Sequence, residues 1–108
     1  MSPRADCLER ARGFVEAASK RVRVAAAYLA GSVARGTQRE ESDYDIILVS
    51  PDFAGVHRVR RPPMVTMLWD HSSGGGLDLL CYTPEEFEIR RNMATIVADM
   101  MEYAIRIA

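Results

Sequence analysis

Asp43 and Asp45 stand at the head of the most strand-like run in the chain, DYDIILVS. Side chains two apart on a strand point to the same face. Two carboxylates held there repel each other, and a divalent cation between them turns repulsion into attraction, since Mg2+ takes carboxylate oxygens as ligands. A solvated pair at a strand edge would give the same spacing, so the motif gains meaning only with its neighbours. Upstream lies Gly31-Ser32. A glycine after a strand lets the backbone turn sharply and approach a ligand closely. A short helix beginning there would aim free N–H groups and its dipole at a phosphate, and the Ser32 hydroxyl adds a donor. GSVARG lacks the Gly-Lys-Ser/Thr ending of a Walker A loop, and a plain strand-to-helix turn with a serine cap is the competing account. Downstream, Asp78 interrupts the apolar run Leu77-Asp78-Leu79-Leu80-Cys81. An ionised carboxylate in a buried strand is costly unless it is paired or metal-bound. Pairing with one of the thirteen arginines is the alternative.

The remaining polar candidates carry weaker signals. Arg35 and Arg39 follow the glycine-serine turn, where either could grip a phosphate bidentately or stay solvated. Ser42 suits a turn before Asp43, and Glu40 and Glu41 suit solvent. Arg58, Arg60 and Arg61 could meet an acidic partner or RNA, although a solvated loop accounts for them equally simply. His57 and His71 have no partner at metal-ligand spacing. Trp69 with Met64, Met67 and Leu68 reads as core or interface rather than a base-stacking platform. Cys7 and Cys81 form neither a CxxC pair nor a zinc spacing and are expected to be buried free thiols.

These residues need a scaffold. Leu8, Ala11, Phe14, Val15 and Ala18 recur at helical spacing, with Ser2-Pro3 as the start signal. Val22 to Ala30 is expected to be a strand running into a turn, although Ala25-Ala26-Ala27 favours helix. A short helix over Ser32 to Thr37 and a strand over Asp43 to Ser50 follow, the latter stopped by Pro51. An arginine-rich loop is expected from Asp52 to Arg61, then a helix from Met64 to Asp70 opened by Pro62-Pro63. His71 to Gly76 reads as a flexible turn and Leu77 to Tyr82 as a buried strand. Thr83-Pro84-Glu85-Glu86 is a strong helix start, with a threonine cap, a first-turn proline and a glutamate placed for a capping box. That helix is expected to run towards Met100, with a last strand within Tyr103 to Ile107. The order predicts an α/β (α+β) domain, a mixed sheet with helices packed against it.

Composition sets the frame. The chain has 108 residues, 48% apolar and 27% charged, with a formal net charge of −1. Those values predict one globular domain over residues 1–108, and the charge balance calls for neither a nucleic-acid nor a membrane partner. No apolar run approaches the roughly 20 residues that span a bilayer, and the first residues lack an apolar signal region, so a cytoplasmic location is expected. Lys20 is the sole lysine, and Gln38 and Asn92 are the sole side-chain amides. A thermophilic source or a GC-rich genome would each give that bias.

Taken together, LAGSVARGTQREESDYDIILVS (residues 29 to 50) and LDLLCYTPEEFE (residues 77 to 88) resemble the nucleotidyltransferase superfamily that includes DNA polymerase beta. The likeness is greatest to its minimal single-domain members. The glycine-serine to Asp-x-Asp spacing is quite specific, while the loop from 52 to 62 matches loosely. The resemblance implies two-metal phosphoryl transfer. Asp43, Asp45 and Asp78 would be catalytic and would hold two Mg2+ ions, and Gly31, Ser32 and Arg35 would bind the triphosphate of an NTP, expected to be ATP. The product would be an NMP, expected to be AMP, joined to an acceptor hydroxyl. Larger relatives carry a further domain that grips base and acceptor, for which 108 residues leave no room. A homo-oligomer or a small helical HEPN-type partner, as in toxin–antitoxin pairs, is therefore expected to complete the site. The alternative is an antitoxin-type module that neutralises such a partner by contact, without catalysis.

Overall fold

The computed structural model describes residues 3–37, 43–93 and 96–108. Helix α1 spans Ala5–Ala18 and buries Cys7, Ala11, Phe14, Val15 and Ala18, the stripe expected from the spacing. Its N-cap, Arg4, makes no capping bond, and the anticipated start residue Ser2 lies outside the described residues. After a turn, β1 covers Ala26–Ala30 and leads directly into α2, Gly31–Arg35. Strand β2 is Tyr44–Val49 and β3 is Leu77–Tyr82. Helix α3, Pro84–Arg91, α4, Ile96–Met101, and a two-residue β4, Ile105–Arg106, complete the order.

The four strands form one mixed sheet in the order β3-β2-β1-β4. β1 runs antiparallel to β2 and to β4, whereas β2 and β3 are parallel. Both faces are covered. On one, Leu29, Ile46, Leu48, Leu79 and Cys81 pack with α1 and with Phe53, Val65 and Trp69 from the β2–β3 connection. On the other, Tyr28, Ile47, Val49 and Tyr82 pack with Phe87 of α3 and Val97 of α4. Burial on both sides explains why β2 reads as an unbroken apolar run rather than an alternating one. Each fully buried large aliphatic or aromatic side chain contributes about 1.5–3 kcal/mol, so the β2 run is a main source of the sheet's stability.

Several expectations need correction. β1 starts at Ala26, leaving Val22 and Val24 in the preceding segment. Alanine's helical preference loses here to pairing with Val49 through Asp45 on β2. No α-helix forms over Met64 to Asp70. Two single 3-10 turns stand there, Pro62–Met64 and Thr66–Leu68, separated by Val65 at φ −134. Val65 and Trp69 turn into the core under α1 while Met67 stays exposed. The last helix does not run unbroken to Met100, since α3 ends at Arg91 with Asn92 as its C-cap and α4 begins at Ile96. The expected capping box at Thr83 is present. The Thr83 hydroxyl accepts from Glu86 N–H at 3.2 Å, and Thr83 N–H donates to the Glu86 carboxylate at 2.8 Å.

Candidate active site

The sheet brings the candidate residues to one end. In the β2–β3 ladder Asp45 lies opposite Asp78, and in the β1–β2 ladder it lies opposite Ala30, the last residue before the glycine-serine turn. Alternation puts Asp45 on the face of Ile47 and Val49, and Asp78 on the face of Leu80 and Tyr82. That face carries α3 and α4 farther along. Asp43 and Asp78 are exposed and Asp45 is half-buried. Asp78 therefore does not sit in a buried stretch of strand as its apolar neighbours suggested. It projects near the start of β3, where the helices do not cover the sheet.

Gly31 touches this cluster through its backbone. It adopts φ +69, and a Cβ placed on it would lie 2.0 Å from Asp45 Oδ2. Only glycine fits both the left-handed backbone and the contact. The turn is anchored by buried Val33 and Ala34, with Ser32 half-buried beside it. Gly36, at φ 74, ends α2 in a left-handed cap. Asp43 is held from the opposite side. Gly76 N–H donates to Asp43 Oδ1 at 3.1 Å, and Gly76 C=O accepts from Tyr44 N–H at 2.8 Å. A Cβ on Gly76 would lie 2.8 Å from that same Asp43 oxygen.

The electrostatics follow from the placement. Burial pushes the Asp45 carboxyl up to about 6, and the like charge of Asp78, hydrogen bonding with Asp78 and the charge of Asp43 push the same way. An anionic cluster of this kind favours either a proton or a cation. Among the described residues, no three His, Cys, Asp or Glu side chains already converge as a metal cage. The donor set nonetheless fits a hard divalent cation: two carboxylates face each other, the third stands two residues away, and all the donors are anionic oxygens.

The other candidates are dispersed. Arg35 is exposed and places its guanidinium 4.5 Å from the centroid of Tyr103. Together with Gly31, Asp99 and Met100, these two residues line a recess of about 180 Å3 beside the turn. Arg39, Glu40, Glu41 and Ser42 lie outside the described residues. Arg61 does not belong to a solvated arginine loop. It is buried and forms a two-point ion pair with Glu86 at 2.6 and 3.2 Å, while donating to Val56 and Cys81 carbonyls. Arg58 and Arg60 are exposed. His57 accepts from Val59 N–H and His71 lies against Thr66 C=O, so both serve local turns. Trp69 is core, with its ring against Phe14 and Tyr44. Cys7 and Cys81 are buried and outside any disulfide, as expected.

Two residues escaped the sequence reading. Gly76 was one glycine in a run of three, and only its position just before β3 hinted at a close approach. Nothing in the sequence singles out Arg10, and no spacing rule reveals that it reaches the 74–76 turn.

Comparison with known proteins agrees with this geometry. The sequence profile of the nucleotidyltransferase domain family matches residues 10–65, just over half of the chain. The match includes Gly31-Ser32 and Asp43-x-Asp45 and stops before Asp78. A search of curated proteins gives no match. Among solved structures, the crystal structure of a suggested nucleotidyltransferase from Sulfolobus solfataricus superposes with a TM-score of 0.64 at 24% identity, covering 94% of this chain and 78% of that one. BolA1 from Arabidopsis thaliana superposes at 0.56 with 22% identity, covering 71% of this chain and 94% of that one. At these identities both likenesses concern the fold alone, and a fold by itself does not assign chemistry.

Proposed function

The chain belongs to the nucleotidyltransferase domain family, and on that premise we propose that it is a metal-dependent nucleotidyltransferase that moves an NMP, AMP by preference, from an NTP to an acceptor hydroxyl. The observation that carries this reading is Asp45 facing Asp78 across the β2–β3 ladder while the Gly31 backbone presses on the Asp45 carboxylate. Neither feature helps the fold, since both crowd negative charge and backbone into one corner of the sheet.

In this reading Asp43, Asp45 and Asp78 hold divalent cations, Mg2+ above all. Once bound, these would neutralise the triphosphate and acidify the acceptor hydroxyl. The Gly31-Ser32 turn receives the β- and γ-phosphates, with Ser32 supplying a hydroxyl donor and the glycine permitting close approach. Arg35 adds a cation to the rim of the same turn. The acceptor oxygen forms a bond to the α-phosphorus as the bond to the bridging oxygen breaks. Pyrophosphate departs with that electron pair, and the acceptor proton passes to solvent past the exposed Asp78. Position and charge neutralisation supply the catalysis, as is usual for phosphoryl transfer.

The acceptor surface is proposed to come from a second chain, either another copy or a small helical partner of HEPN type. Exposed Ile89 and Ile96 on α3 and α4, and Met93 between the two helices, support this, being large apolar side chains left in solvent. The test is incubation with each labelled NTP, Mg2+ and the product of a neighbouring gene, read by intact mass. A mass gain of one nucleotide that disappears in Asp43→Asn plus Asp45→Asn is the expected result. No gain with any NTP, together with no NTP binding at millimolar concentration, would sink the proposal.

A further inference from the structure

Arg10 lies on α1, outside the cluster of carboxylates, yet its guanidinium is among the most constrained groups in the molecule. It packs beside two adjacent aromatic rings, 4.2 Å from the Trp69 centroid and 4.9 Å from the Tyr44 centroid, which themselves lie 5.0 Å apart. From there it donates to three main-chain carbonyls of one turn: Gly74, Asp70 at 2.7 Å and Gly75 at 3.4 Å. Its Nε is buried with no hydrogen-bond partner among the described residues. That cost would not fall on a solvated arginine.

The turn it grips ends at Gly76, whose N–H holds Asp43 and whose carbonyl holds Tyr44 N–H. Gly74 and Gly75 have φ of +68 and +75, so this backbone has wide conformational freedom of its own. Something must hold it still if Gly76 is to keep one place. Tyr44 closes the loop, because the residue flanked by Asp43 and Asp45 supplies one of the two rings against which Arg10 packs.

We propose that Arg10 is a positioning residue for the metal site. It locks the 74–76 turn so that Gly76 keeps the Asp43 carboxylate turned beside Asp45 and Asp78. This rests on the metal reading given above. Hydrogen-bonded partners of metal-ligating groups orient those groups, and their loss costs about 10–100-fold in metal affinity. A flat guanidinium is needed because only a fork can lie against aromatic rings and donate to several carbonyls at once.

The test measures Mn2+ affinity by titration calorimetry and Gly76 amide exchange by NMR, in the wild type and in Arg10→Met, Arg10→Lys and Val97→Ala. Val97 packs on the opposite face of the sheet and serves as a control for lost stability. Arg10→Met is expected to weaken Mn2+ binding roughly tenfold and to speed Gly76 exchange. Arg10→Lys, which keeps a cation there, should fall between and provides the measurement if Arg10→Met does not fold. Val97→Ala should lower the Tm without changing Mn2+ affinity. Wild-type affinity in both Arg10 variants, or unchanged Gly76 exchange, overturns the proposal alone. Absence of Mn2+ binding by the wild type overturns the metal reading and this proposal together.

Discussion

Asp45 and Asp78 are register partners in the parallel pair β2–β3, and that opposition adds to burial in raising the Asp45 carboxyl to about 6. The pair costs stability on its own and, in the proposed function, would become an asset once a cation binds.

Removing one charge should therefore separate stability from function. Asp45→Asn is expected to raise the Tm by on the order of 2–5 °C at pH 8 in EDTA. It should also lower nucleotidyl transfer by roughly 100-fold or more. Differential scanning calorimetry and a transfer assay check the two halves. A lower Tm in EDTA would contradict the electrostatic account.

The same cluster predicts an unusual pH profile. A carboxyl whose folded value is raised binds its proton more tightly in the folded state, so stability falls as pH rises from about 4 to beyond 6. Glu86 works in the opposite sense. Arg61 holds it down at about 2, so its contribution is present above pH 4.5 and is lost as pH falls towards 2. The exposed pairs of Arg4 with Asp6 and Arg23 with Asp52 lean the same way as Glu86. Metal-free urea denaturation should show stability declining on both sides of about pH 4–5, with the alkaline limb absent in Asp45→Asn. A flat profile between pH 5 and 7 in the wild type would refute this.

Gly31→Ala should be severe. The added methyl would meet Asp45 at 2.0 Å, and the backbone there is left-handed. A loss of about 1–3 kcal/mol follows from the backbone alone. Nucleotide binding should weaken further because the carboxylate has to move. Gly55→Ala serves as the comparison, since it shares a positive φ but meets open space. If the two variants bind NTP equally well, Gly31 is only a turn residue.

Arg61→Met should cost about 1.5–3 kcal/mol, the worth of hydrogen bonds to a charged group, because it leaves the half-buried Val56 carbonyl and the buried Cys81 carbonyl without their donor. Urea unfolding gives the value, and a change under 0.5 kcal/mol would show that Arg61 is dispensable.

What the sequence revealed depended on whether the deciding interactions were local. The capping box at Thr83 and the strand at Asp43 to Ser50 are set by near neighbours, and both appeared within a residue or so. Strand β1 was hard to delimit because alanines carry little strand signal and its bounds come from pairing with β2. The missing helix after Pro62-Pro63 reflects the burial of Val65 and Trp69 beneath α1, which spacing alone cannot report. At the site, the order of Gly31-Ser32, Asp43-x-Asp45 and Asp78 was visible. The exposure of Asp78 and the docking of Arg35 on Tyr103 depend on where the helices stop covering the sheet. Arg10 was invisible because its partners lie some sixty residues away.

The parallel ladder has a kinetic consequence. β1 and β2 are close in sequence and can pair early, but β3 joins β2 only after residues 50–76 have crossed the sheet. Asp45 and Asp78 are thus expected to come face to face late in folding. Ions that bridge them would leave the folding rate nearly untouched and slow unfolding instead. The protein's lifetime against proteolysis would then follow the concentration of free cation around it.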